Sequence, residues 1–537
     1  MIKKTAIFLL ITVVCALGSE GWRLNVIFNN DRHGGIEPAP ATFMNPETPP
    51  PLGKLPSEAA VVADRRAQSA ERGEGFLYLD QGDIYQGAPV GSLTKGEAIV
   101  EAYNLLLPDI VTIGNHEFDN GLDNLLGLVE ASNFTWLSAN TIDLSTGEPL
   151  KGVKPYIIKD FTLPDGSTLR VGIIGITTID TKYMSFPENT AGIEILDEVE
   201  TANLYADSLK THYGADFVIA SCHMGLPFDA RAAYTQLNET SAQFDEGHYG
   251  GIDMVEMAGR LKNVDVAFGG HIHIGYSTPW EDPRTHVLVF QNYAQGTGFG
   301  GVSFVFDVGS KVFLGYEPIA TDNCLATLFS EEFWPNPEML ALVDSLAGES
   351  EKGLAEVVGS ATAFLPRGDA AQNRVGHITC DAMIEATGAD ISTTNMGGVR
   401  AEIAAGDITK KAVFEVMPFD NKLVVVPVTG KEVVEIVERM AGKYSGALVG
   451  GMKVLFDPRS KRVVELSIGG ARVDSSAVYN FATTDYVYYS YGIPQFEAVA
   501  VDRVKFTGLL ARDAIERWIA AHSPVEPGVD DRWKNID

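Results

Sequence analysis

The sequence predicts an α/β protein made of two successive α/β units. Three observations lead there. From about residue 22 to about residue 322, short apolar runs alternate with helical patterns, the rhythm of a layered α/β domain. The runs are brief, continuous and rich in β-branched residues, which reads as strands buried on both faces. A second alternation starts near residue 353, after a segment (residues 333–352) that opens with two prolines and becomes an amphipathic helical pattern.

In chain order, residues 1–18 carry a basic start at Lys3 and Lys4, an apolar stretch and small residues at Ala16 and Gly18. This composition predicts an export signal cleaved near Gly18, and hence a periplasmic or secreted protein. Cys15 follows Thr12-Val13-Val14, a poor context for lipidation. No other stretch is apolar for the roughly 18–20 residues of a membrane span, and the end of the chain is polar. Residues 39–55 are proline-rich and predict a surface loop. Helices are expected over residues 57–70, 95–106, 122–132 and 198–212. In the second unit, strands are expected over 389–394, 422–428, 452–456 and 478–483, with helices over 430–441 and 509–521. The expected domains are 19–325 and 353–537, joined by a linker helix within 326–352.

The 537-residue chain has 41 basic and 71 acidic side chains, a formal net charge of −30. That balance argues against nucleic-acid polymers as partners, which need a cationic surface to displace counterions. Beyond the leader only Cys222, Cys324 and Cys380 remain, too few for a disulfide scaffold and without metal-finger spacing. Stability must therefore come from core burial.

The chemistry sits where apolar runs end. Residues 23–30 lead into Asp31-Arg32-His33, 76–79 into Asp80 and Asp83, and 110–113 into Gly114-Asn115-His116-Glu117-Phe118-Asp119. Residues 217–221 lead into Cys222-His223, and 264–268 into Gly270-His271-Ile272-His273. Open α/β sheets gather their ligands outside the carboxyl ends of strands, so one sheet edge would collect all these groups. A bridging carboxylate with imidazole and oxygen ligands suits two divalent ions such as zinc or manganese. Such a pair, roughly 3.5–4 Å apart, activates water and neutralises phosphoryl oxygens. The other five histidines, His212, His248, His286, His377 and His522, have no such context, and Asp80, Glu117 and Asp180 read as structural carboxylates.

The ordered series D-x-H, G-D-x-x-Q-G, G-N-H-E-F-D, C-H-M-G and G-G-H-x-H resembles the secreted 5′-nucleotidase family of calcineurin-like metallophosphoesterases over nearly the whole mature chain. The resemblance implies a four-layer α/β/β/α metallophosphoesterase domain followed by a smaller α/β substrate-binding domain. It also implies hydrolysis of nucleoside 5′-monophosphates to nucleoside and phosphate. Asp31, His33 and His273 would hold one metal ion, Asn115, His223 and His271 the other, with Asp83 between them. His116, oriented by Asp119, would assist the transition state.

In the second domain, Thr394-Asn395-Met396-Gly397-Gly398-Val399-Arg400 resembles the family turn that cradles phosphate, with Arg400 forking onto it. Phe419 in Pro418-Phe419-Asp420-Asn421 and Tyr486 after Asp485 resemble the aromatic pair that sandwiches the base. Two departures bear on substrate. The family's G-G-D-G turn after this aromatic is replaced by Val487-Tyr488-Tyr489-Ser490-Tyr491, and an upstream arginine contact falls to either Arg367 or Arg374. A shifted base or sugar preference is therefore expected. Rival readings are a phosphodiesterase or pyrophosphatase acting on cyclic nucleotides or nucleotide sugars, and an inactive nucleotide-binding surface protein. The sulfur-ester hydrolases of the superfamily are disfavoured by the intact Gly-Asn-His-Glu. Gly296, Gly298 and Gly301 match G-x-G-x-x-G, but the strand-like residues 302–308 that follow exclude a dinucleotide site, and a turn between strands is expected there.

Overall fold

The computed structural model describes residues 21–239, 251–442, 446–528 and 531–536. The expected export signal lies outside them. Alternation along the Trp22–Asn29 strand shows how the first domain is layered. Leu24, Val26 and Phe28 point into a core shared with Val171, Ile173, Phe217, Ile219 and Phe268 of a second sheet. Ile27 points the other way, onto Leu55, Val62 and Ile99 of the covering helices. Successive side chains of a strand face opposite sides, so this period of two builds two sheets face to face with helices outside.

Among the described residues, the first sheet runs in the order Phe313–Pro318, Gly298–Phe306, Trp22–Asn29, Gly75–Asp80, Ile110–Thr112, Thr135–Leu137, with Leu325–Thr327 also paired to Gly298–Phe306. The second runs Trp280–Glu281, Leu288–Gln291, Val266–Gly269, Phe217–His223, Thr168–Thr177, Tyr156–Thr162. The strands that matter for chemistry are central and run parallel to one another within each sheet: Trp22–Asn29 with Gly75–Asp80, then Ile110–Thr112, and Phe217–His223 with Val266–Gly269; on its other side Trp22–Asn29 is antiparallel to Gly298–Phe306. The single sheet edge expected from the sequence is in fact two: Asp31, Asp83 and Asn115 follow strands of the first sheet and His223, His271 and His273 strands of the second, and the face-to-face packing of the sheets brings both sets together.

The helix Pro337–Ser350 is capped by the Asn336 side chain, which accepts from the Glu338 and Met339 amides. It packs Met339 and Val343 into the first domain's helical layer. The second domain is built on a five-stranded sheet in the order Leu448–Gly450, Ile391–Thr394, Val478–Thr484, Lys422–Thr429, Lys505–Leu510, beside a four-stranded sheet in the order Ala471–Arg472, Arg462–Ile468, Met452–Asp457, Trp533–Asn535 and a pair Val357–Ala361 with Gly406–Thr409. Helices Arg374–Thr387 and Ala511–His522 cover one face, and Gly430–Ala441 covers the other. No helix among the described residues is long and apolar enough to cross a membrane. Cys222, Cys324 and Cys380 are free and buried.

Several local expectations shift. The proline-rich segment 39–55 pairs Ala39–Pro40 with Pro51–Leu52 and enters a helix at Lys54 that runs to Arg72. The helix expected from residue 95 starts at Glu97, because Gly96 takes φ 94° and separates it from a short Pro89–Ser92 helix. The helix expected from 509 starts at Ala511, since Leu509 and Leu510 complete a strand. The G-x-G-x-x-G segment is not wholly a turn: Gly298–Phe306 is one continuous strand, and Gly300 is needed there because a Cβ would sit 2.1 Å from the Phe28 ring.

Candidate metal and nucleotide site

Five of the site residues are delivered through an unusual backbone, whereas Asn115 takes φ −75° and His223 ends a regular strand. Asp31, His33, Asp83, His271 and His273 all take φ between 50° and 74°. Residues bearing a Cβ rarely adopt this left-handed region, and it clusters where function over-determines the chain. Hydrogen bonds hold these turns together. The Asp31 and His33 amides donate to the carbonyls of Gly82 and Asp83, each at 2.9 Å. Glu117 accepts from the amides of Asp83, Ile84 and Gly114, at 2.9, 2.9 and 2.7 Å, locking two of the loops together.

The donor atoms converge. Asp31, His33 and His273 form one group and Asp83, His223 and His271 another, each with its donor atoms within 4.8 Å of one another. A third such group joins His33, Asp83 and His116. Asp83 Oδ2 lies 3.0 Å from His223 Nε2 and 3.9 Å from His33 Nε2, so one carboxylate faces both sets. Asn115 Oδ1 lies 3.2 Å from His223 Nε2 and 2.9 Å from His271 Nδ1.

These residues fit divalent cations. His33 Nδ1 is 2.7 Å from the Gln86 carbonyl and His223 Nδ1 is 2.6 Å from the Gln81 carbonyl. A ring nitrogen facing a carbonyl carries a proton, so Nε2 is the atom each ring turns to the centre; burial lowers the His223 imidazole, but Asp83 beside it outweighs burial and raises it to about 10. His33 Nε2 and His273 Nε2 stand 2.8 Å apart. Asp31 Oδ2 accepts from Asn30 Nδ2 and the His271 amide, both at 2.7 Å, while its buried Oδ1 has no hydrogen-bond partner. A buried carboxylate oxygen without a donor, surrounded by imidazoles, is a place that a cation would complete. Burial lowers the imidazoles of His33, His273 and His271, the last to about 3, keeping them neutral. For Asp31 and Asp83, burial acts upward but the surrounding imidazoles, led by His273 and His223, hold both carboxyls below their usual range.

His116 stands beside this centre. Its Nδ1 is 2.7 Å from Asp119 Oδ2 and its amide donates to Asp83 Oδ1 at 2.8 Å. Burial lowers this imidazole, but Asp119 and Asp83 outweigh burial and leave it above its ordinary value.

A cavity of about 630 Å³ lies between the domains. Asp83, Asn115, His116, Asp119, His271 and His273 line it from the first domain, and Asn395, Gly398, Phe419 and Tyr486 from the second, with Arg400 of the second domain reaching between the two sets. Arg400 Nη2 reaches within 3.0 Å of His33 Nε2, and the Phe419 ring stacks on His116 at 5.8 Å and 24°. Asn395 Oδ1 is buried without a hydrogen-bond partner, and a Cβ at Gly398 would crowd it at 2.7 Å. Of the two upstream arginines, Arg367 lines the cavity, whereas Arg374 donates to the Glu526 carbonyl at 3.3 Å.

Sequence reasoning did not find Phe186 or the role of Tyr491. Phe186, from the first domain, lines the cavity and meets Tyr486 edge-on at 6.2 Å. Its neighbours tie it to the centre, with Ser185 Oγ donating to the Asn115 carbonyl at 3.3 Å and Asn189 Nδ2 to the Asp119 carbonyl at 2.8 Å. Tyr491 packs on Tyr486 at 6.1 Å, in the stretch that replaces the family's G-G-D-G turn. A lone phenylalanine in a loop carries no motif, so only the fold could reveal it.

Residues 53–275 match the family model for calcineurin-like phosphoesterases, and residues 356–499 match that for the 5′-nucleotidase C-terminal domain. The chain is 29% identical to the UshA protein of Salmonella pullorum, covering 94% of this chain and 92% of that protein. It is 26% identical to a 5′-nucleotidase of Vibrio vulnificus, covering 87% of this chain and 84% of that one. Among solved structures, a 5′-nucleotidase precursor from Thermus thermophilus shares the fold, with a TM-score of 0.81 at 24% identity over 96% of this chain and all of that one. The chain is thus a calcineurin-like metallophosphoesterase of the 5′-nucleotidase family, a hydrolase of phosphate esters with a phosphoesterase domain followed by a 5′-nucleotidase C-terminal domain.

Proposed function

We propose that this protein hydrolyses nucleoside 5′-monophosphates to nucleoside and phosphate, and that it does so outside the cytosol, in the periplasm or after secretion, directed there by residues 1–18. The carrying observation is that one interdomain cavity has a cation-type donor set at one end, aromatic side chains at the other and an arginine between them. Asp31, His33 and His273 would hold one divalent ion, and Asn115, His223 and His271 a second, with Asp83 shared; zinc or manganese suits this mixture. When bound, such a pair neutralises phosphoryl charge and lowers the pKa of water. Arg400 holds the phosphate, supplying positive charge in a chain of net charge −30. His116, steadied by Asp119, gives a proton to the 5′ oxygen as the phosphorus–oxygen bond breaks and water takes its place on phosphorus. Phe419 and Tyr486 grip the base, with Asn395 at the phosphate turn.

The test is phosphate release from a panel of nucleoside 5′-monophosphates, a cyclic nucleotide and a nucleotide sugar, with and without chelator. The expected result is release from monophosphates, lost on chelation and restored by manganese. Because Tyr491 stands where the family has an aspartate-bearing turn, the order of preference among bases or sugars should differ from that of ordinary nucleoside monophosphatases. Nucleotide retained without phosphate release would identify a binder instead. Turnover of only the cyclic nucleotide or the nucleotide sugar would identify the diester reading.

A further inference from the structure

We propose that Arg32 is a positioning residue for the metal centre, a buried cation that sets the backbone of the Asp31-Arg32-His33 turn. Arg32 is flanked by two residues with φ 50°, and its side chain enters the helical layer, where it meets Glu58 and Tyr103. It is fully buried. There Nη2 pairs with Glu58 Oε2 at 2.6 Å, and Nε donates to the Tyr103 hydroxyl at 2.6 Å. Tyr103 passes the link on, donating to Asp80 Oδ2 at 2.7 Å, and Asp80 Oδ1 accepts from the Gly82 amide at 3.0 Å. The chain of bonds therefore starts between Asp31 and His33 and ends next to Asp83. Glu58 is fixed in turn by the Tyr78 hydroxyl at 2.8 Å and by Asn29 Nδ2 at 2.9 Å.

The glycine-rich segment rejected as a dinucleotide site belongs to the same arrangement. Gly296 takes φ 61°, and a Cβ there would lie 2.8 Å from Arg32 Nη1 and 2.5 Å from the Gly35 carbonyl. The next residue upstream, Gln295, donates its amide to the Asp31 carbonyl at 2.8 Å. The guanidinium thus touches elements that shape the Asp31–His33 turn from three sides. Stability alone is a weak reason for such a pair, because well-packed apolar replacements of a buried ion pair are often neutral or stabilising. Groups that orient metal ligands, by contrast, commonly change metal affinity roughly 10- to 100-fold when removed.

The inference rests on the metal reading, and the experiment separates the two. Metal-stripped full-length protein is titrated with manganese by calorimetry, for the wild type, the paired variant Arg32→Met/Glu58→Leu, Arg32→Lys and Tyr103→Phe, with kcat and KM measured in parallel. The expected result is a folded paired variant that binds manganese roughly 10- to 100-fold more weakly, with reduced kcat and unchanged KM for nucleotide. Arg32→Lys should recover part of the affinity, since it restores the charge without the fork. Wild-type affinity and kcat in the paired variant, or a lowered Tm with both unchanged, would overturn the proposal. If the paired variant does not fold, Tyr103→Phe decides: weaker manganese binding at near-wild-type Tm supports it, and unchanged binding overturns it. Failure of the wild type to bind manganese would instead overturn the metal reading itself.

Discussion

The two ends of the interdomain cavity are built on different physical plans. At the first-domain end, Asp31, Asp83, Asn115 and His223 are almost wholly buried, their backbones lie in rare conformations at Asp31 and Asp83, and loop hydrogen bonds fix each loop to the next. At the second-domain end, Phe419 and Tyr486 are only half-buried, and their neighbours in the cavity are mostly other rings: Tyr491, Phe186 and, for Phe419, His116. On the proposed function the first-domain residues are cation ligands, which must be placed to within a few tenths of an ångström, and an over-determined backbone suits that demand. The base proposed for the other end accepts stacking over a range of offsets, which aromatic packing alone can provide.

The largest effects should come from breaking the rigid end. A chelator should abolish phosphate release, with recovery on adding manganese, and Asp83→Ala should not recover. His116→Ala should lower kcat by roughly 10²- to 10⁴-fold while the circular dichroism stays that of the wild type; full activity in either variant would refute the assignment. Arg400→Ala sits between the ends. Hydrogen bonds to charged groups are worth about 1.5–3 kcal/mol, so kcat/KM should fall by roughly 10- to 100-fold. That loss should shrink for a phosphate-free nucleoside inhibitor, whose Ki reports the base pocket alone.

At the aromatic end, stacking of about 1–3 kcal/mol per base predicts that Tyr486→Ala raises KM by roughly 5- to 100-fold with little change in kcat. Phe419→Ala should alter both, because this ring also stacks on His116. Phe186→Ala should have the smallest effect, a rise in KM of a few-fold that varies with the base; a kcat effect of similar size would mean that the two ends are not separable.

The same contrast explains what could be read in the sequence. Strands were legible because residues buried on both faces must be continuously apolar, as in Val218, Ile219 and Ala220. The polar clusters stood out because they interrupt such runs, and the chemistry of divalent ions restricts which residue types can appear there. That they meet was legible, but not how: the expectation was one sheet edge, whereas two stacked sheets each supply part of the set, a packing that strand periodicity does not reveal. What did not follow were contacts made by side chains of ordinary type from distant segments. Glu58 looks like any helix glutamate, yet it meets Arg32 in the core. Phe186 looks like loop filler, yet it faces Tyr486 across the domain boundary. The glycines near residue 300 matched a familiar pattern for an unrelated reason, the approach of Gly300 to Phe28 and of Gly296 to Arg32. Helix starts slipped by a few residues where Gly96 or the end of a strand, rather than periodicity, decided the boundary.

The most direct test is anomalous diffraction from crystals grown with manganese and a non-hydrolysable nucleoside monophosphate analogue. The account predicts two anomalous peaks, one enclosed by Asp31, His33 and His273, the other by Asn115, His223 and His271, both touching Asp83, with the analogue's phosphate on Arg400 and its base against Tyr486. No anomalous density among these side chains, or an analogue bound outside the interdomain cavity, would contradict it.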